Sequence, residues 1–389
     1  MMTRFPKIYI DVTVLTLATF ITGIQRVTRE ICLRTIKEHR ERVFLIHYNA
    51  AEDMYYRIDN EGFTAYYTGK KYIKERMVTK ERVPHTDIDE NSVFFDLDAA
   101  WMCRMKRSYL LPVLKKQGAH IVAHIYDIIS ITHPQYCLER GVYNFMDYIG
   151  AHLLYADAFI VNAEATVNEI KNLTEKIGCR MPECTVVPLG ADFGEKKQIN
   201  RSDISEKAAE AASKPYILMV GTIEPRKNHK LLLKAYDTEL KEMGYHIIFA
   251  GSMGWRMEDF RKQLEDHPDY GKGIYHFEGL DDNDIAYLYQ NALFLAFCSY
   301  TEGFGLPVIE AIHHGTPVLA ADIPVLREVG REYCVWFEQD NAGDLCDKIK
   351  TYSQEEKYKE IKDRMAEYHY SGWENTYKEM EKVICLYCG

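Results

Sequence analysis

Short apolar runs alternate with helical stretches along most of the chain, and this alternation predicts the architecture. Six strand-like runs occupy the first half: KIYIDV (7–12), RVFLIHY (42–48), SVFFDLD (92–98), HIVAHIYD (120–127), DAFIVN (157–162) and CTVVPLG (184–190). Helical stretches lie between them, such as residues 23–39, whose apolar face carries Ile24, Val27, Ile31 and Leu33. Strands that alternate with helices predict a parallel sheet covered by helices on both faces.

A second group of strand-like runs begins near residue 216. Its members are YILMVG (216–221), HIIFAG (246–251), IYHFEG (274–279), LFLAFCS (293–299) and PVLAAD (317–322). Between the two groups, the charged, small-residue stretch 191–214 breaks the alternation. The pattern therefore predicts an α/β protein with two Rossmann-like domains, which face each other across a cleft at the carboxyl ends of their strands.

The same pattern gives the domain boundaries. We predict an N-terminal Rossmann-like domain at 1–195, a linker at 196–214, a C-terminal Rossmann-like domain at 215–370 and a C-terminal helix at 371–389. The helical segments from about residue 341 are polar, with Tyr370, Trp373 and Tyr377 near their end. We expect the last helix to cross back toward the N-terminal domain.

Composition and charge exclude several classes of protein. The 389 residues are 47% hydrophobic and carry a formal net charge of −10. Nucleic-acid binders need a basic footprint, so we expect no nucleic-acid partner. The apolar run 12–24 is shorter than the roughly 20 residues of a membrane-spanning helix, and we interpret it as a strand end that runs into a loop.

Cysteine usage fits a reducing compartment. The ten cysteines lack paired spacing and no secretory signal is evident, so we expect reduced thiols and a cytoplasmic location. Cys385 and Cys388 form one Cys-x-x-Cys, but no second pair lies nearby. Since a zinc site needs about four ligands, we interpret them as two idle thiols on a helix tail.

The segment TEGFGLPVIE (301–310) combines a glycine turn with two glutamates. Pro307 stands where the first turn of a helix tolerates proline. Free N–H groups around 303–306 would then point at a ligand, with the positive end of the helix dipole behind them, which suits a phosphate or sugar hydroxyls. Taken alone, Glu302 would be a cap and Glu310 a solvated residue. The whole pattern favours ligand binding.

A second loop, GTIEPRKNH (221–229), directly follows a strand-like run. Gly221 allows a tight turn, and Arg226 and Lys227 precede the next helix. An arginine and a lysine at such a position can hold a diphosphate by fork and point-charge contacts. The alternative is a solvated basic pair opposite Glu224.

Together the two loops resemble those of the retaining GT-B glycosyltransferases of family four, the group 1 transferases. E-x7-E at 302–310 encloses GFGLP, and VGTIEPRKN lies upstream. TGIQRVTREI (22–31) and YDIISITHP (126–134) resemble a branch of that family associated with bacterial surface polysaccharides. The resemblance covers almost the whole chain. It implies the GT-B fold, with 1–195 as the acceptor domain and 215–370 as the nucleotide-sugar donor domain. It also implies transfer of a hexose from a nucleotide-diphosphate sugar to a glycan or lipid-linked saccharide acceptor.

The resemblance also implies roles for individual residues. Glu310 would bind the ribose hydroxyls, and Glu302 would position the transferred sugar. Arg226 and Lys227 would neutralise the leaving diphosphate, which makes a metal or other cofactor dispensable. The catalytic set is Arg226, Lys227 and Glu302, and the donor-binding set is Gly23, Gly221, Thr222, Gly303, Phe304, Gly305, Leu306 and Glu310. GDP-mannose is the first donor expected, with UDP-sugars and dTDP-rhamnose as alternatives.

In the N-terminal half, Gly23 is placed in the loop after the first strand, where its backbone would approach the donor phosphates. Many family members carry His-Asp after the fourth strand, whereas this chain has Tyr126-Asp127, with His124 two residues earlier. We assign Asp127 and Tyr126 to the acceptor side, with His124 as a further candidate. The alternative for His124 is a core histidine.

Two other polar patterns leave alternatives open. Asp96-Leu97-Asp98 resembles the metal-binding pair of another glycosyltransferase fold, but chance or acceptor contact is favoured and no metal site is predicted. The segment 64–82 carries six Lys/Arg and two Glu, with interleaved tyrosines. It is either a mobile solvated loop or a patch that contacts anionic lipid headgroups at the inner face of the membrane.

Other functions compete with glycosyl transfer. A nucleotide-sugar epimerase can share the two-domain fold, and a non-catalytic nucleotide-sugar binding protein can share the scaffold. A Rossmann dehydrogenase is disfavoured because no complete Gly-x-Gly-x-x-Gly follows the first strand.

Overall fold

The computed structural model describes residues 6–19, 23–191 and 198–387. The chain divides into two compact units. Unit 1 comprises Met1–Gly190 and Ser371–Gly389, and unit 2 comprises Ala191–Tyr370.

Unit 1 is built on an eight-stranded sheet with the order β4-β3-β2-β1-β5-β6-β7-β8. Its strands are β1 (Lys7–Asp11), β2 (Val43–Asn49), β3 (Met54–Ile58), β4 (Val78–Val83), β5 (Ser92–Asp96), β6 (His120–Ile125), β7 (Ala158–Val161) and β8 (Glu183–Val186). Every strand-like run predicted in this half contains a strand. The sheet is mixed, however, because β3 pairs antiparallel with both β2 and β4. β3 and β4 were not predicted, because this border of the sheet is partly solvated and lacks a continuous apolar run.

Helices cover this sheet. They are α1 (Thr13–Leu17), α2 (Gly23–His39), α3 (Asn60–Tyr67), α4 (Arg107–Lys116), α5 (Ile129–Thr132), α6 (Glu139–Tyr155) and α7 (Glu164–Ile177). The predicted strand end and loop at 12–24 are wrong, because α1 follows β1 directly. The Asp11 carboxylate accepts a hydrogen bond from the Thr13 N–H at 3.0 Å, which favours an early helix start. Residues 20–22 of that stretch lie outside the described residues.

Unit 2 contains an all-parallel six-stranded sheet with the order β11-β10-β9-β12-β13-β14. Its strands are β9 (Tyr216–Val220), β10 (His246–Ala250), β11 (Ile274–Phe277), β12 (Phe294–Phe297), β13 (Val318–Ala321) and β14 (Val335–Phe337). Its helices are α8 (Glu206–Ala211), α9 (His229–Ala235), α10 (Glu258–Glu265), α11 (Asp282–Asn291), α12 (Leu306–His314), α13 (Pro324–Gly330), α14 (Ala342–Tyr352) and α15 (Glu355–Met365). The strand order reverses beside β9, where β10 lies on one side and β12 on the other.

The stretch 196–214, predicted as a linker, differs in the structure. Residues 196 and 197 lie outside the described residues, but the later part forms α8 within unit 2. Ala208 and Ala211 on α8 are fully buried, and the Ala211 carbonyl oxygen lies 2.9 Å from His246 Nδ1. The alanines give the helix a small apolar face, so a segment rich in charge can still pack.

After Tyr370 the chain returns to unit 1, which it completes with α16 (Trp373–Cys385). This helix packs against α2. Trp373 is 1% exposed, and the Thr376 hydroxyl donates a hydrogen bond to the Pro188 carbonyl at 2.9 Å. A Cβ on Gly190 would lie 2.4 Å from the Trp373 backbone nitrogen, so this approach requires glycine. Cys388 lies outside the described residues, and the cleft between the two domains stays a prediction.

Candidate functional site

The loops after β9 and β12 meet at one edge of the unit 2 sheet. The two strands are parallel neighbours, so their carboxyl ends lie side by side. The first loop carries Arg226 and Lys227 on the 3-10 helical turn Pro225–Lys227, and the second carries Glu302. The strand order reverses at this position, and open α/β sheets bind ligands at such switch points. The sheet topology therefore brings together the two motifs identified in the sequence.

Glu302 contacts both cations of the neighbouring loop. Its Oε2 lies 2.7 Å from Arg226 Nη1, and its Oε1 lies 2.6 Å from Lys227 Nζ. The Ser299 hydroxyl donates to the same Oε1 at 2.7 Å. Arg226 also contacts Glu224, with Nε 2.7 Å from Oε1. The cluster thus contains two cations and two carboxylates whose charges balance.

Burial and charge set the ionisation of this cluster. Burial alone would raise the pKa of Glu302, but the charges of Arg226 and Lys227 outweigh it and lower the pKa to about 2. Burial also lowers the pKa of Lys227, although Glu302 opposes that change. Glu302 is therefore a carboxylate at neutral pH, and its negative charge holds a buried cation in place.

The glycine turn before α12 has the backbone that the sequence predicted. Gly305 adopts φ 102°, and Pro307 lies in the first turn of the helix. A Cβ on Gly305 would also lie 2.7 Å from Leu326 Cδ2, so both conformation and space favour glycine here. Phe304 is buried beneath the turn, whereas Gly303 and Leu306 are half-buried. The turn places the amino end of α12 beside the Glu302 cluster.

Gly221 and Thr222 form the start of the other loop. Gly221 has φ 128°, and Thr222 is exposed. The backbone comes close to a second glycine here, because a Cβ on Gly251 would lie 2.1 Å from the Gly221 carbonyl oxygen. Sequence analysis did not single out Gly251, although its place at the end of a strand-like run was visible.

Further contacts hold the two loops together. Asn228, which has φ 56°, donates from Nδ2 to Asp340 Oδ1 at 3.1 Å. The Tyr300 hydroxyl donates to the same oxygen at 2.8 Å, and the Tyr300 N–H donates to the Arg226 carbonyl at 2.8 Å. Sequence analysis missed Asp340 because it follows β14, a strand of three residues that no apolar run announced.

Glu310 lies on α12, more than one turn beyond the glycine turn. The Tyr289 hydroxyl of α11 donates to its Oε2 at 2.9 Å. The Tyr289 ring also stacks on His314, with centroids 5.4 Å apart. Sequence analysis did not find Tyr289, since nothing in the spacing of α11 and α12 indicates which residues face each other.

The acceptor-side candidates lie in unit 1, after β6. The His124 and Tyr126 rings are 4.2 Å apart and share one face, as their spacing predicted. His124 Nε2 lies 2.7 Å from Asn162 Oδ1, and burial lowers the pKa of His124 to about 4. The Tyr126 hydroxyl donates to the Leu97 carbonyl at 2.7 Å. These contacts favour the core alternative for His124.

Asp127 remains accessible at the end of the same strand. It is half-buried, and its Oδ1 accepts a hydrogen bond from the Ile129 N–H at 3.0 Å. The nearby Glu169 has a pKa raised to about 7, first by burial and then by the charge of Asp127. Sequence analysis did not identify Glu169, which stands on α7 without any motif around it.

Asp96 and Asp98 belong to a buried ionic cluster in unit 1. Arg107 contacts both Asp96 oxygens, with Nε 2.6 Å from Oδ2 and Nη2 2.8 Å from Oδ1. Its Nη2 also lies 3.0 Å from Asp11 Oδ2. Burial raises the pKa of Asp98 to about 7, even though the Leu15 and Ala99 N–H groups donate to it. Both aspartates are at most 1% exposed, which argues against the acceptor-contact alternative.

The structure places Gly23 differently from the prediction. Gly23 is exposed and is the first residue of α2, so the predicted loop position is wrong.

The basic segment 64–82 is not a loop, because it contains the end of α3, a 3-10 turn and β4. Lys74 donates to the Ala18 carbonyl and Arg82 lies 3.3 Å from Glu52. Lys70, Lys71 and Lys80 are exposed.

No helix within the described part of the chain is both long and apolar enough to span a membrane.

Comparison with known proteins gives a family-model match over most of unit 2. Residues 200–371 match the family model described as glycosyl transferases group 1, which confirms the resemblance inferred from the sequence for that part of the chain. The chain is 26% identical to the serotype-specific mannosyltransferase WbdA of Escherichia coli over 363 residues, which is 89% of this chain and 41% of that protein. It is 32% identical to O-antigen chain mannosyltransferase B of Escherichia coli over 164 residues, covering 41% of this chain and 43% of the other. The chain thus spans about two fifths of the length of these curated relatives.

Solved structures define the fold over the whole chain. The Anabaena protein HepE in complex with UDP and glucose matches with a TM-score of 0.69 and 15% identity, covering 97% of this chain and 99% of that one. This likeness confirms the GT-B fold predicted from the sequence.

Proposed function

We propose that this chain is a retaining glycosyltransferase that moves a hexose from a nucleotide-diphosphate sugar to a glycan or lipid-linked saccharide acceptor in surface polysaccharide synthesis. One observation carries the proposal: Arg226 and Lys227 meet Glu302 at the switch point of unit 2, beside the amino end of α12. Two cations, a helix N-terminus and a carboxylate are the groups needed to hold a diphosphate and a sugar side by side.

The donor expected first is GDP-mannose. The relatives named above are mannosyltransferases, which supports a mannose-type sugar. The HepE structure contains UDP and glucose, which keeps UDP-sugars as an alternative together with dTDP-rhamnose. In the proposed complex, Glu310 accepts hydrogen bonds from the ribose hydroxyls, and Gly221 and Thr222 line the phosphate side.

Charge stabilisation drives the proposed reaction. As the bond between the anomeric carbon and the diphosphate oxygen breaks, positive charge grows on the sugar ring and negative charge grows on the diphosphate. Arg226, Lys227 and the amino end of α12 stabilise the leaving group. The acceptor hydroxyl attacks the anomeric carbon from the face that the diphosphate leaves, and the departing phosphate takes its proton. The two cations replace a divalent metal, so the reaction is metal-independent.

Diphosphate binding also changes the role of Glu302. In the structure the carboxylate contacts both cations. When the diphosphate occupies the cations, the Glu302 oxygens can accept hydrogen bonds from sugar hydroxyls instead. Glu302 thus couples occupation of the phosphate site to orientation of the sugar.

In unit 1, Asp127 is proposed on the acceptor side, and the exposed lysines of 64–82 are proposed to contact anionic lipid. Both proposals are consistent with action at the cytoplasmic face of a membrane, beside a lipid-linked acceptor.

A thermal-shift panel of GDP-mannose, UDP-glucose and dTDP-rhamnose tests the donor, because a ligand that binds only the folded state raises its apparent stability. We expect the largest rise with GDP-mannose, its loss in Lys227→Ala and its retention in Lys357→Ala, a surface variant of α15. A protein that no nucleotide sugar stabilises would contradict the proposal.

NMR of the product tests retention of the anomeric configuration, and an inverted configuration would refute it. Unchanged activity in EDTA is expected from a metal-independent reaction.

A further inference from the structure

A second polar pocket lies in unit 2, away from the Glu302 cluster. It has a volume of about 620 Å³, within the range of roughly 300–1,000 Å³ typical of small-ligand sites. Its cationic lining residues are Arg327, Arg331, Lys348 and Arg364, and its aromatic ones are Trp336 and Tyr352. Glu332 is the one acid among the described lining residues. The lining therefore has an excess of positive charge in a protein that is acidic as a whole.

The sheet topology separates this pocket from the proposed donor site. β14 is the last strand of the sheet and runs parallel to β13. Arg331 and Cys334 precede β14, whereas the glycine turn 303–305 follows the carboxyl end of β12. The pocket therefore lies beside the outermost strand and extends to the amino ends of the strands, whereas the proposed donor site lies at their carboxyl ends.

The four cations differ in their counter-ions. Arg327 forms two contacts of 2.6 Å with Asp322, and its guanidinium lies 4.4 Å from the centre of the Trp336 ring. Lys348 lies 3.7 Å from Asp344. No carboxylate of the described residues is within ion-pair distance of Arg331 or Arg364. Two guanidinium groups in this pocket therefore form no direct ion pair with the described residues.

Both of these arginines also carry a local cost. Arg331 has φ 46° and ψ −135°, a backbone conformation that a residue with a Cβ rarely adopts. Gly330 precedes it, and a Cβ there would lie 2.5 Å from Cys334 Sγ, so the turn is packed tightly against the pocket wall. The Nε of Arg364 is buried and has no hydrogen-bond partner among the described residues. A buried N–H group on a cation is expected to have an acceptor, which a bound anion can supply.

We propose that this pocket binds a phosphate-type oxyanion, with Arg331 and Arg364 as its contacting cations. Arginine matches the geometry of phosphate oxygens by two parallel hydrogen bonds, and the pair provides two such donors. Trp336 also lines the pocket, with the Arg327 guanidinium over its ring. The phosphate belongs to a free phosphorylated molecule or to a lipid headgroup. Binding here does not require the transferase activity proposed above.

Inorganic phosphate is the first probe, titrated by calorimetry in a phosphate-free buffer. We expect the wild type to bind it and Arg364→Gln to weaken the affinity by about tenfold, because a charge-assisted contact is lost. Arg331→Gly should weaken it similarly while leaving the melting temperature unchanged or higher, since glycine relieves the backbone conformation. Lys357→Ala is the matched control, because this residue lies on α15 with Arg364 but pairs with Glu360 at 2.8 Å.

Two further experiments identify where phosphate binds and whether it comes from a lipid headgroup or a free ligand. Lys227→Ala removes a cation of the proposed diphosphate site, so phosphate binding that persists in Lys227→Ala and is lost in Arg364→Gln supports the pocket. Binding that is lost in Lys227→Ala and kept in Arg364→Gln belongs to the loop after β9, and the proposal then fails. Cosedimentation with vesicles of phosphatidic acid or of phosphatidylcholine distinguishes a headgroup from a free ligand. Binding of either probe that both arginine variants lose supports the pocket. Wild-type protein that binds neither probe, or variants that bind as wild type does, would overturn it.

Discussion

Lys227 Nζ lies 2.6 Å from Glu302 Oε1, although the two residues are 75 positions apart in the chain. They meet because β9 and β12 are parallel neighbours. The Phe297 ring, with its centre 4.9 Å from the same Nζ, covers another side of the ammonium group. The basic loop and the glutamate loop therefore form one electrostatic unit. A change of charge in either loop alters the electrostatic environment of the other.

Transfer activity should depend on this unit and on Glu310. We expect Lys227→Ala and Glu310→Ala each to lower the rate of transfer by at least about tenfold, a loss of roughly 1.4 kcal/mol of transition-state stabilisation. The first variant removes a cation from the leaving group, and the second removes the ribose contact. Steady-state kinetics with the donor selected by thermal shift measure both. Near-normal turnover in either variant would remove that residue from the site, and Lys357→Ala serves as the unaffected control.

Stability should depend on the charge of Glu302. Glu302→Gln leaves Lys227 and Arg226 without the carboxylate that they share, so we expect the free energy of unfolding to fall by about 3–5 kcal/mol, as when one partner of a buried ion pair is removed. Urea unfolding at pH 7 measures the change. Glu310→Gln is the matched control, since Glu310 lies nearby on α12 and accepts a hydrogen bond from the Tyr289 hydroxyl. GDP or UDP should stabilise Glu302→Gln more than wild type, and an equal effect on both proteins would argue against a shared phosphate site.

The pH dependence of stability should report on His229. Its ring lies between Phe249 and Phe260, and neither ring nitrogen has a hydrogen-bond partner among the described residues. Burial, together with the charges of Lys227 and His276, lowers the pKa of His229 from 6.5 to about 3. The unfolded chain therefore binds a proton near pH 6.5 that the folded chain binds only near pH 3. The free energy of unfolding should fall as the pH drops through that window, by on the order of 2 kcal/mol at pH 5.

His229→Leu tests this assignment. The substitution keeps an apolar contact with the two phenylalanines and removes the titrating group, so we expect a smaller loss of stability between pH 7 and pH 5 than in wild type. Urea midpoints at both values give the difference. Parallel curves for the two proteins would show that another group controls the acid side.

The buried cluster of unit 1 should be intolerant of charge removal. Arg107→Met leaves Asp11 and Asp96 buried without their shared cation, and we expect a loss of about 3–5 kcal/mol in the free energy of unfolding. Arg104→Ala, an exposed arginine three residues away, should change it by no more than about 0.5 kcal/mol. Circular dichroism during urea unfolding measures both variants. A mild effect of Arg107→Met would mean that the cluster relaxes or takes up protons.

Vesicle binding should depend on the exposed lysines of segment 64–82. Replacement of Lys70, Lys71 and Lys80 by glutamate should weaken binding to phosphatidylglycerol vesicles, because each lysine near an anionic surface contributes roughly 1 kcal/mol. Replacement of three exposed lysines of unit 2, Lys234, Lys357 and Lys359, by glutamate controls for net charge, and phosphatidylcholine vesicles control for nonspecific adsorption. If the wild type binds neither kind of vesicle, the proposed contact of segment 64–82 with anionic lipid is wrong.

Much of the fold could be predicted because buried parallel strands are continuous apolar runs. YILMVG and LFLAFCS each precede a loop, and the strand positions were correct for both. β3 and β4 could not be found in this way, since this antiparallel border of the sheet is partly solvated and its residues include Arg57, Lys80 and Arg82. β14 was missed because three residues carry too short a pattern.

The candidate site was predictable in its residues and not in its contacts. The glycines and Pro307 indicate their backbone conformation by residue type alone, so the turn before α12 was predicted correctly. The pairing of Glu302 with two cations depends on which strands are neighbours, and spacing along the chain does not contain that information. For the same reason the partners Tyr289 and Asp340 became visible only in the structure.

Unit 1 is interrupted in the chain by all of unit 2, and this order has a consequence for synthesis on the ribosome. The face of α2 that α16 covers, and the place of Trp373 beside Gly190, stay vacant until Ala191–Tyr370 has been translated. At about 5–20 residues per second that wait is on the order of ten seconds or more. Unit 2 can therefore fold first, and the nascent chain exposes an incomplete amino-terminal half that a chaperone would be expected to recognise.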